Sequence, residues 1–109
     1  MALTPLTSSY LNRKLQIPIK IRDHAHQIKT RLALAVNDLL KERKLKQRAI
    51  AILFGVPQPK VSALKNYRLD QFSVERLMEF LTALNQDVEI IIRPRNLAGA
   101  GQISVLAVQ

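Results

Sequence analysis

Residues 47–64, QRAIAILFGVPQPKVSAL, constrain the fold of this chain more than any other stretch. They read as two short helices around a tight turn. Gly55 stands where the first helix must stop, and the backbone there needs a residue that tolerates positive φ. Ala51 lies four residues earlier, where the helices would cross and a large side chain would not fit. Ile50, Leu53, Phe54, Val56, Val61 and Leu64 supply apolar residues at helical spacing on both sides of the turn. Gln47 opens the first helix. Gln58-Pro59 opens the second, with the proline in a first-turn position that it tolerates.

The same stretch lies in the most basic part of a chain of net charge +9. Between residues 41 and 69 the cations Lys41, Arg43, Lys44, Lys46, Arg48, Lys60, Lys65 and Arg68 face one acid, Glu42. From 70 to 92 the balance reverses, with Asp70, Glu75, Glu79, Asp87 and Glu89 against Arg76. A solvated helix surface accounts for any one charge run. A basic run that coincides with a helix-turn-helix pattern points instead to nucleic acid, docked in one orientation.

The 109 residues suit a single domain, and an apolar fraction of 48% is enough for a small core. With no cysteine, a disulfide framework and a thiol zinc site are excluded. His24 and His26 are two apart, so a helix sends them to different sides, and a metal site is not expected. Nothing in the sequence makes a nucleophile, a phosphate-cradling glycine loop or a carboxylate pair. Neither an enzyme nor a cofactor is expected. No run approaches transmembrane length, and the N-terminus lacks the order of a secretory signal. The expected location is the cytoplasm.

The pattern predicts a mainly α fold of four to five helices with two C-terminal β-strands. Residues 1–20 read as an irregular arm, and residues 21–86 as the helix-turn-helix domain. Residues 87–109 read as strands suited to dimerisation. Ile21, Ala25, Ile28, Leu32, Val36 and Leu39 recur at steps of three or four, which predicts a long first helix from Asp23 to about Arg43. Residues 67–72 read as a loop. Ser73 is a good cap for a fourth helix carrying Val74, Leu77, Met78, Leu81 and Leu84. DVEIIIR at 87–93 alternates, with Val88, Ile90 and Ile92 on one face, and Pro94 stops it. ISVLAV at 103–108 reads as a second strand.

With these motifs in view, the sequence resembles the Cro/repressor-like helix-turn-helix proteins, the XRE family, and more narrowly the short HigA-type antitoxins. Leu45, Gln47, Ala51, Leu53, Gly55-Val56, the run QPKVSAL at 58–64, Phe72-Ser73, Arg76-Leu77 and the 87–94 tail carry the resemblance, across about residues 28–94. There are departures. Lys46 and Pro57 stand where the family has hydroxyl caps, Lys44 where it has glycine, and residues 65–67 lack a glycine after the third helix. Two lost caps would cost about 1 kcal/mol each if nothing else satisfies the amides.

In this fold the third helix enters the major groove by its first turn. Gln58 is the expected base reader, since an amide pairs bidentately with adenine; its alternative use is as a solvated cap. Lys60 and Ser62 come next, although Ser62 has a competing use in a back-bond to its own helix. Ala63 is expected to face out, with its methyl available to thymine. Lys46, Gln47, Arg48, Lys65, Tyr67 and Arg68 flank that helix and are expected to hold phosphates.

Val88, Ile90, Ile92, Ile103 and Val105 carry too much apolar surface for an isolated hairpin. They predict a homodimer that would present two recognition helices to a palindromic double-stranded operator; folding onto the chain's own helices is the alternative. The resemblance implies a repressor that is also an antitoxin, partnered by a RelE- or HigB-like toxin and repressing its own operon. A stand-alone regulator without a toxin is the other reading.

Overall fold

The computed structural model describes residues 18–108, and of residues 18–24 only the backbone. The chain order is α1 (Pro18–Glu42), α2 (Gln47–Phe54), α3 (Gln58–Lys65), a 3-10 turn (Leu69–Gln71) and α4 (Val74–Ala83). Helix α1 begins at Pro18, five residues before the Asp23 start expected from the pattern. Residues 18–20 therefore belong to α1 and not to an irregular arm; the rest of that arm lies outside the described residues. A proline in the first turn loses no helical hydrogen bond and brings a preset φ.

The buried stripe of α1 is Leu32, Ala33, Val36 and Leu40, while Ala25 is exposed and Leu39 only half-buried. Helix α1 packs on α4, α3 and the 3-10 turn, and α2 packs on α3 and α4. The centre is aromatic. Phe80 stacks on Phe54 with ring centroids 4.3 Å apart and meets Phe72 edge-on at 5.8 Å. Burying three such rings contributes several kcal/mol, and the ring geometry adds a further increment. The segment expected as a plain loop contributes to this core through Leu69 and Phe72, both buried; the 3-10 turn between them aims both inward.

Each of the four helices ends in the same closure. The residue after the last turn sits at positive φ and bonds back three residues, and its successor bonds back five. Lys44 (φ 54), Gly55 (φ 67), Tyr67 (φ 58) and Asn85 (φ 63) hold the left-handed position. Leu45, Val56, Arg68 and Gln86 donate to the carbonyls of Leu40, Ala51, Ala63 and Leu81 at 3.2, 3.0, 2.9 and 3.0 Å. These bonds satisfy carbonyls that a helix end leaves without partners. Only one of the four is glycine, so at the other three the closure bonds hold a residue with a side chain in the left-handed position. Where Lys44 replaces the family glycine, for example, Leu45 must turn back half-buried against the core.

Long-range polar ties lock the helices. Arg43 donates to the Leu84 carbonyl at the end of α4 (2.6 Å), and Asn37 Nδ2 to the Leu64 carbonyl at the end of α3 (3.1 Å). Arg76 Nη2 donates to the Phe54 carbonyl at the end of α2 (2.9 Å), while its Nη1 pairs with Glu79 (2.8 Å) and its plane lies over Phe80. Ser73 caps α4 as its sequence position predicts, accepting from the Arg76 amide at 3.0 Å.

The two expected strands do not form: among the described residues none lies in a ladder. Ile90, Ile91 and Ile92 are exposed, as are Ile103, Leu106 and Val108; only Val88 and Val105 rest against the core. Alternation supplies a pattern of faces, but a strand exists only through hydrogen bonds to a neighbour, and a lone two-stranded ribbon is marginal in water. Among the described residues no helix is long and apolar enough to cross a membrane.

Candidate nucleic-acid interface

The site begins at two helix ends that lack side-chain caps. Lys46 before α2 and Pro57 before α3 both have extended backbone (ψ 153 in each) and offer no capping oxygen. At α2 the first-turn amides have no side-chain cap, whereas at α3 Pro59 has no N–H and the Lys60 amide bonds back to the Pro57 carbonyl at 2.9 Å, so the Gln58 amide is left at the positive end of that helix dipole. A side-chain contact holds the two ends together. The Gln47 side-chain amide donates to the Gln58 carbonyl at 3.0 Å, spanning from the first residue of α2 to the first residue of α3.

The orientation of α3 follows from what it buries. Val61, Ala63 and Leu64 enter the core, and Lys60 is half-buried beside them. The opposite side carries Gln58, Pro59, Ser62, Lys65 and Asn66, spaced as one face of a helix. Gln58 is exposed at the leading end of this face. Ser62 lies one turn on, half-buried. Asn66 lies a further turn on, and its amide donates to the Ser62 carbonyl at 2.8 Å. The Ser62 hydroxyl, for which a back-bond was the competing use, accepts from the same Asn66 amide at 3.5 Å. Asn66 was not picked out in the sequence, although residues 58, 62 and 66 are four apart and mark the face.

Two expectations are overturned. Ala63 does not face out; it is 3% exposed and belongs to the core, because the chain after α3 folds back over it through the bond from Arg68. Lys60 does not point outward either. Its ammonium donates to the Gln71 carbonyl (3.3 Å) and sits 5.3 Å over the Phe72 ring, so the side chain closes the 3-10 turn. Both residues lie on the flank of α3 that the following turn covers, which the spacing within α3 alone does not show.

Lys46 and Arg48 are exposed at the start of α2, and Lys65 is exposed at the end of α3. Tyr67 and Arg68 are exposed just beyond it. Arg48 shares a shallow cleft with Ile52, Gly55, Pro57 and Gln58. Ile52 is 76% exposed there, an apolar point beside Gln58 that the sequence reading did not single out. Among the described residues the only ion pair is Arg76–Glu79 on α4, so the rim cations are not neutralised by neighbouring carboxylates.

A family model described as a helix-turn-helix domain matches residues 21–93. A solved structure of a protein named as an XRE family transcriptional regulator is 50% identical, covers 80% of this chain and 99% of its own, and superposes with a TM-score of 0.77. The chain belongs to the XRE family. Comparison with curated proteins gave no match. Membership of this family makes the chain a DNA-binding helix-turn-helix regulator, not an enzyme. Within the XRE fold α2 corresponds to the positioning helix and α3 to the recognition helix.

Proposed function

We propose that this XRE-family protein is a sequence-specific repressor whose α3 reads the major groove through Gln58, Ser62 and Asn66. The observation that supports this best is the Gln47–Gln58 bond, which brings two uncapped helix N-termini to one rim beside an outward polar face. Helix N-termini receive phosphates without further machinery. Lys46, Arg48, Lys65, Tyr67 and Arg68 would hold the two backbones, and Gln47 would add a phosphate contact through the second N–H of its side-chain amide, the first being committed to the Gln58 carbonyl. About six phosphate contacts give a log–log salt slope of roughly −5. The test is a salt titration of binding to duplex DNA; affinity indifferent to salt contradicts the reading.

A homodimer through residues 87–109 completes the repressor. This stretch offers Ile90, Ile92 and Ile103 as exposed aliphatic surface next to Val88 and Val105. Such surface in water favours cover by a second copy, which would also provide the missing ladder. Two recognition helices held roughly 34 Å apart then require a palindromic operator. The resemblance to HigA-type antitoxins supports a further role: neutralising a RelE- or HigB-like toxin and repressing the shared operon. Co-expression with the product of the adjacent reading frame tests it. A stable complex that silences a ribosome-dependent RNase is expected; absence of any such neighbour leaves the stand-alone regulator.

A further inference from the structure

The outward face of α3 carries one residue that can donate no hydrogen bond. Pro59 is exposed between Gln58 and Ser62, while Val61, Ala63 and Leu64 fill the core and Lys60 closes the 3-10 turn. In the first turn of α3, therefore, only Gln58 and Pro59 present exposed side chains on that face. Pro59 has no backbone N–H, and the amides of Lys60 and Val61 both bond back to the Pro57 carbonyl, at 2.9 and 3.4 Å. Past Gln58, this end of the helix commits its main-chain donors internally. What it offers outward is apolar. The rings of Pro57 and Pro59 are both exposed, and Ile52, which lines a cleft with Pro57 and Gln58, is 76% exposed.

We infer that Pro59 is a second base-reading residue, and that it recognises the 5-methyl group of a thymine adjacent to the base pair met by Gln58. Base edges in the major groove present donors, acceptors and one apolar group, the thymine methyl. A pyrrolidine ring gains by covering that methyl. Against a polar edge it displaces water and returns no hydrogen bond, which is unfavourable. The ring has a fixed φ and almost no rotamer freedom to lose, so the contact costs little entropy. Ala63, the residue expected to meet thymine, is buried, and the apolar readout passes to Pro59. The inference rests on the groove reading of α3. It adds a chemical class of operator: half-sites with a thymine methyl beside the position read by Gln58.

The test takes a duplex selected from random sequence by the wild-type chain. Each thymine is replaced in turn by deoxyuridine, which removes the methyl and keeps every hydrogen-bonding group. At one thymine per half-site the wild type should lose affinity about four-fold, the worth of one buried methyl group. Pro59→Ser keeps a residue suited to a helix start and removes the ring, so it should bind the thymine and deoxyuridine duplexes equally. Ile52→Ser should keep the wild-type sensitivity. A proline that only starts the helix would leave Pro59→Ser weaker on both duplexes with the deoxyuridine loss undiminished, and that result overturns the inference. So does a loss that disappears in Ile52→Ser and persists in Pro59→Ser, which moves the methyl contact to α2. If no thymine is sensitive while Gln58→Ala still loses sequence preference, the role of Pro59 falls alone. If Gln58→Ala also keeps that preference, the groove reading falls with it. Circular dichroism checks the fold of each variant. Should Pro59→Ser unfold, Pro59→Ala takes its place, with a deoxyuridine loss smaller than that of wild type expected and an equal loss contradicting the inference.

Discussion

The side-chain amide of Gln47 and the main-chain carbonyl of Gln58 lie 3.0 Å apart, joining the first residues of the two helices of the motif. Eleven positions separate them in the chain, and the turn between them is closed by Gly55. The bond ties the start of α3, already oriented by its buried Val61, Ala63 and Leu64, to the start of α2 beside the exposed Gln58 side chain. Its position is exposed, so its contribution to stability is at the low end of the usual range, about 0.5–1 kcal/mol. Gln47→Ala should therefore cost little in thermal unfolding and more in DNA affinity. A variant that melts early but binds like wild type would show that the bond is only structural.

Lys44 and Gly55 occupy the same left-handed position at the ends of α1 and α2, with φ 54 and 67. A side chain there costs about 1–2 kcal/mol, and glycine loses about 0.5–1 kcal/mol through its freer unfolded state. Lys44→Gly should stabilise by about 0.5–1 kcal/mol. Gly55→Ala should destabilise by a similar amount through φ alone, since a Cβ built at Gly55 meets nothing within 4 Å. Opposite shifts of a few degrees in melting temperature are expected. Equal signs would mean that packing after the turn outweighs the backbone.

The motif was legible because its demands are local. Gly55, Ala51 and Ser73 hold the roles their neighbours in sequence assign them, and α2 spans the expected Gln47–Phe54. What failed to show in the sequence depends on distant partners. Ala63 and Lys60 sit on the exposed-looking flank of a short helix until the 3-10 turn covers them. Alternation at 87–93 encodes two faces but no neighbour, so it implied a strand that the single chain does not make.

The exposed aliphatics after α4 predict self-association. Removing residues 98–109 should leave the four helices folded, because their core lies within residues 32–84 apart from half-buried Ile28, Val88 and Val105. It should shift the chain toward monomer and lower affinity for a palindromic site more than for a half-site. Light scattering of full-length and truncated chains reads the outcome. A truncated chain as dimeric as the full one would place the interface elsewhere, most naturally on the long α1.

The account rests on the outward face of α3 reading base edges, and one comparison tests it most directly. A site selected from random sequence by the wild-type chain is titrated against a random duplex, with wild type, Gln58→Ala and Lys60→Ala. Gln58→Ala should lose about 1–3 kcal/mol on the selected site and nearly nothing on random DNA. Lys60→Ala, whose ammonium is held by the Gln71 carbonyl and the Phe72 ring, should keep the preference. The contradicting result is the reverse pattern, with preference intact in Gln58→Ala and lost in Lys60→Ala.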